Sequence, residues 1–125
     1  MKPNRRGLLI VDHGTRVPAA NERLAAFTQQ VATARPDWHV RYAHMELAEP
    51  GFADGIESLI VDGALTIHVH LHFLSAGFHI RETIPELVAA ARGKHPGVEI
   101  SLSEPLGDDP RLVDIVLSRM DLHKE

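Results

Sequence analysis

Three segments far apart in the chain carry residues able to hold a divalent cation or move a proton. They are Asp12-His13-Gly14, His44-Met45-Glu46 and, after "SAGF", His79. Imidazoles at His13 and His79 with a carboxylate at Glu46 form the donor set of a borderline ion such as Fe, Co, Ni or Zn. The same groups serve equally as general bases. Arg16 and Arg81 flank the two histidines and suit carboxylates on a ligand. Taken singly, a loop histidine or a surface arginine is most often merely solvated. Three candidates at three equivalent places are harder to dismiss.

That equivalence comes from the elements that position them. "GLLIVD" (7–12) reads as a buried strand, "PAANERLAAFTQQVATAR" (18–35) as a helix opened by Pro18, and "WHVRYAHM" (38–45) as a second strand. "GFADGIESLIVDG" (51–63) has helical spacing with a glycine stop, and "ALTIHVHLHFL" (64–74) is a third strand. "TIPELVAAARGKH" (83–95) is a helix that Thr83 and Glu86 would open as a capping box. "GVEISL" (97–102) is a fourth strand, and "DPRLVDIVLSRM" (109–120) a last helix with Leu112, Ile115 and Val116 to one side. Strands alternating with helices imply βαβ units, a parallel sheet and right-handed crossovers. Such sheets bind ligands beyond the carboxyl ends of their strands. His13, Glu46 and His79 all fall there, and this is the reason to single them out. His13 and His79 are expected on loops after strands one and three.

The third strand holds a second cluster. His68, His70 and His72 alternate with apolar residues, so all three face one side of the sheet. Histidines two apart on a strand can share a metal. For His68 and His70 the plainer expectation is neutral, hydrogen-bonded packing residues, and His72 is open between the two. His39, His95 and His123 are expected in solvent.

Composition narrows the classes. The 125 residues are 44% hydrophobic and 24% charged, so one domain spanning 1–125 is expected. There is no cysteine, which excludes disulfides and thiolate chemistry. The net charge of −4 argues against nucleic acid as a partner. The apolar run after the basic start, Leu8 to Val11, is too short for export or a membrane span, so a cytoplasmic location is expected. No dinucleotide fingerprint, P-loop or nucleophile elbow occurs. The loops also lack the glycines and hydroxyls of a phosphate-binding, flavodoxin-like module.

"LLIVDHGTR", "MELAEP", "FLSAGFHIRETIPEL" and "HPGVEISLSEPLGDDPRL" together resemble the short class II chelatases, the sirohydrochlorin cobaltochelatases and ferrochelatases of CbiX/SirB type. The resemblance runs along nearly the whole chain. It implies an α/β, chelatase-like (flavodoxin-like) three-layer sandwich around a four-stranded parallel sheet of order 2-1-3-4. It implies a lyase that inserts Co²⁺, Fe²⁺ or Ni²⁺, as substrate and without organic cofactor, into the tetrapyrrole sirohydrochlorin for cobalamin or sirohaem. It further implies a homodimer. The family's metal-handling positions match His13, Glu46 and His79, and Arg16 and Arg81 could meet the substrate's acidic side chains. Val17 and Thr83 stand where aspartates are common, and "HVHLH" is more polar than the usual strand. That last departure keeps open a non-catalytic metal-binding or metal-delivery protein on the same scaffold.

Overall fold

The computed structural model describes residues 5–75 and 77–122, apart from the side chain of His79. Strand β1 (Arg6–Asp12) is followed by α1 (Pro18–Ala34), β2 (His39–His44), α2 (Phe52–Val61), β3 (Thr66–Leu71), α3 (Phe78–Lys94), β4 (Glu99–Leu102) and α4 (Arg111–Asp121). One turn of 3-10 helix, Leu106–Asp108, precedes α4. The strands are parallel in the order β2-β1-β3-β4, as the resemblance implies.

Period-two alternation sorts the sheet's side chains into two layers. Leu9, Val11, Ala43, Ile67, Val69, Leu71 and Ile100 are buried in one apolar cluster with Phe52, Ile56 and Leu59 of α2 and Ile80, Ile84 and Val88 of α3. The opposite face carries α1. There Phe27 and Val31 line a cavity of about 240 Å³ with Leu8, Ile10, His68 and His70. His68 and His70 of β3 therefore share the α1 face with His72, which lies just past the strand and stacks on Phe27 of α1. No helix is long and apolar enough to cross a membrane among the described residues.

Two boundaries depart from the expectation. Helix α3 begins at Phe78, five residues before the Thr83–Glu86 pair, and runs through Pro85. Ile80, Ile84 and Val88 are spaced four apart and are all buried, so one continuous apolar stripe carries the helix back past the proline. His79 therefore lies in the first turn of a helix and not on a loop. Strand β3 ends at Leu71, three residues short of the expected end at position 74. The His72 N–H still donates to the Val11 carbonyl at 2.6 Å as the chain leaves the sheet.

Helix α4 forms as expected, but its expected face of Leu112, Ile115 and Val116 is not buried, and the helix buries nothing. Val113, Val116, Leu117 and Met120 form an i, i+3, i+4, i+7 stripe, each more than half exposed.

Candidate functional site

At the carboxyl edge, the ladder between β1 and β2 continues past the strands. The Met45 N–H donates to the Asp12 carbonyl (2.8 Å), and the Glu46 N–H donates to the His13 carbonyl (3.0 Å). His13 and Glu46 thus sit side by side on adjoining loops. Gly14 permits this closeness. Its φ is +86°, and a Cβ there would overlap the Glu46 carbonyl and lie 2.9 Å from the His44 Cβ. The His13 ring is half-buried and tilts against Phe73, with centroids 4.9 Å apart. Glu46 is exposed. His79, on the backbone, is the second residue of α3, which follows β3 on the same edge; its side chain lies outside the described residues. Among those residues no three His, Asp or Glu side chains are gathered closely enough to cage a cation.

The arginines separate. Arg16 is exposed at the entry to α1. Arg81, also exposed, lines a cavity of about 370 Å³ with Leu71, Ile84, Leu102, Glu104 and Asp108.

Two supporting contacts escape the sequence reading. The buried His44, 1% exposed, binds the Asp12 carboxylate through Nδ1 at 2.6 Å. The pair ties the last residues of β1 and β2 together directly beneath His13. It depends on the register Asp12↔His44, which no local pattern signals. The second contact is Asn21, whose amide nitrogen donates to the Thr15 carbonyl (2.7 Å) and whose oxygen accepts from the Thr15 N–H (3.1 Å). Val17, at the N-cap of α1, gives no side-chain cap, so Asn21 anchors the loop from inside the helix. At about 1 kcal/mol per bond, Asn21→Leu is expected to lower stability by about 2 kcal/mol, read from urea unfolding.

His68, His70 and His72 differ among themselves. His68 Nδ1 and Nε2 lie 2.8 and 3.2 Å from the Ser101 and Ser103 hydroxyls, so it is a satisfied packing residue, as expected. His70 Nε2 lies 3.1 Å from His72 Nδ1, and the His72 ring stacks on Phe27 at 4.3 Å. Burial pushes both His70 and His72 below the ordinary histidine range. For each, the unfolded chain takes up protons first, so folding loses free energy as pH falls below about 6.5. The melting temperature should drop between pH 7.5 and pH 5.5, and His70→Gln should shrink that drop. His39, opening β2, and His95, closing α3, are half-buried and not fully solvated; His123 lies outside the described residues.

The CbiX family model matches residues 7–122. The chain is 35% identical to a chloroplastic sirohydrochlorin ferrochelatase of Arabidopsis thaliana over 91% of its own length and 51% of the relative's. It is 30% identical to a sirohydrochlorin cobaltochelatase of Sulfolobus acidocaldarius over 92% of its length and 89% of the relative's. The crystal structure of the sirohydrochlorin chelatase SirB from Bacillus subtilis subspecies spizizenii, in complex with cobalt, superposes with a TM-score of 0.80. Identity there is 32%, with 95% of this chain and 51% of that one covered. The chain spans about half the length of the ferrochelatases it matches.

Proposed function

This chain belongs to the CbiX family, and from that premise we propose that it is a sirohydrochlorin chelatase. It exchanges two pyrrole protons of the macrocycle for one Co²⁺ or Fe²⁺, in cobalamin or sirohaem biosynthesis. The observation that carries this reading is the lacing of the loops after β1 and β2, which holds an imidazole and a carboxylate on one edge of the sheet. Curated relatives named as cobalto- and ferrochelatases supply the reaction class.

In this reading, residues 1–125 act as one chelatase-like domain in the cytoplasm. His13 and His79 hold the incoming metal, which is a substrate, and accept the pyrrole protons. Glu46, being exposed, completes the ligand set or passes protons to water. Asp12 and His44 fix the strand ends on which His13 and Glu46 ride. Arg81, at the mouth of its cavity, meets the acidic side chains of the tetrapyrrole, and Arg16 does so from the first loop.

The reaction is tested by mixing the chain with sirohydrochlorin and Co²⁺ or Fe²⁺ and following the visible spectrum. Metal insertion faster than in the protein-free blank is expected. Metal binding without acceleration would overturn the reading in favour of a metal-delivery protein.

The working form in this reading is a homodimer, and the exposed stripe of α4 is the surface on which two copies meet. An apolar stripe of this spacing packs well against a copy of itself across a two-fold axis. Sedimentation at micromolar concentration should therefore give twice the chain mass. Leu117→Asp should give a folded chain of half that mass. A wild-type monomer would exclude this arrangement.

A further inference from the structure

The pair His70 and His72 is not used by the chelatase reading. Three observations bear on it. The first is geometric. His70 Nε2 and His72 Nδ1 are 3.1 Å apart, from rings whose centroids are 5.3 Å apart. For metal–nitrogen bonds of about 2.0–2.1 Å, two ligands at 90° to 109° stand about 2.9–3.4 Å apart. One cation can thus bridge both nitrogens once the ring proton between them has shifted, through water, to the other nitrogen of its own imidazole. The second observation is support. Stacking on Phe27 holds the His72 ring, while His68 is turned away to Ser101 and Ser103 and does not compete. The third is the field around the pair. The Asp12 carboxylate acts on His72. On the other side, His70 opens on a cavity of about 500 Å³ that Glu104, Asp108 and Asp109 also line. Arg111 pairs with Asp109, while Glu104 and Asp108 line both this space and the neighbouring cavity that Arg81 enters.

We propose that His70 and His72 form an open, two-imidazole site for a borderline divalent cation such as Co²⁺, Ni²⁺ or Zn²⁺, separate from His13, Glu46 and His79. Imidazole suits these ions and discriminates against Mg²⁺ and Ca²⁺, which prefer oxygen. Two protein ligands leave the remaining coordination positions to water, so the site holds its ion exchangeably and does not lock it away. The proposal stands whether or not the chain is a chelatase.

The test is equilibrium titration of the full chain with Ni²⁺, counting cations bound per chain in the wild type, His70→Gln, His72→Gln and His13→Ala. Each of the first two substitutions should remove one binding equivalent, and His13→Ala should leave that equivalent in place. His72→Gln also loses a ring stack, so the wild type supplies a second readout. On addition of Zn²⁺, the ¹⁵N resonances of the His70 Nε2 and His72 Nδ1 should move together in long-range proton–nitrogen spectra. Unchanged stoichiometry in both glutamine variants, loss of all binding in His13→Ala, or ring nitrogens that stay put would each mean the pair is a hydrogen bond only.

Discussion

His13→Ala is expected to cut chelatase kcat/KM by about a thousandfold, the middle of the range for loss of a proton-transfer group. That is about 4 kcal/mol of barrier. The ring is only half-buried against Phe73, so stability should fall by about 1 kcal/mol, and the melting temperature by only a few degrees. A rate loss far larger than the stability loss marks a group that does chemistry. His79→Ala should behave likewise. Because the two would act on one metal, the double variant should be barely worse than the worse single one. Full additivity of the two effects, or a near-wild-type rate in either variant, would place the chemistry elsewhere on the chain.

The second large effect should come from a residue with no side chain. Gly14→Ala would impose a Cβ on a backbone at φ +86°, which costs about 1–2 kcal/mol in any L-residue. It would also push the new methyl into the Glu46 carbonyl and against His44. The two loops would have to part, and the Glu46–His13 hydrogen bond would lengthen with them. A total of about 3 kcal/mol is expected, about 10 °C in melting temperature, together with loss of activity. Gly97→Ala is the control, since its Cβ would meet open space and its φ is not in the left-handed region. Equal melting temperatures for the two variants would show that the β1 and β2 loops are not pressed together.

The elements of the fold could be read from the sequence, because buried parallel strands and amphipathic helices leave strong periodic signals. The motif resemblance supplied the strand order, which composition and spacing alone do not give. Helix α3 misled at its start. Thr83 and Glu86 mimic a capping box and Pro85 suits a first turn, yet the Ile80–Ile84–Val88 spacing held the correct answer. Strand β3 misled at its end, since alternation persists through Phe73 although the backbone leaves the ladder after Leu71. The strand-end argument led to His13 and Glu46, whose loops the structure laces together. It could not find Asp12–His44, which depends on the pairing of two strands, or Asn21–Thr15, which depends on how the loop folds back onto the first turn of α1. For α4 the sequence pointed to a face of Leu112, Ile115 and Val116, whereas the exposed stripe in the fold is Val113, Val116, Leu117 and Met120.

The order β2-β1-β3-β4 also governs when the molecule can become itself during synthesis. β1 is made first, yet it is an inner strand with β2 on one side and β3 on the other. A hairpin can close as soon as its turn is made, but parallel partners must wait for a crossover. The ribosome must therefore release everything through Leu71 before Leu9 and Val11 have neighbours on both sides. Until then a run of aliphatic residues stands unpaired on the nascent chain. Such distant pairings slow folding and leave apolar segments exposed to aggregation. The rim around His13 can assume its shape only after β3 has emerged. A stall or truncation before β3 should thus yield insoluble fragments, not a smaller working unit.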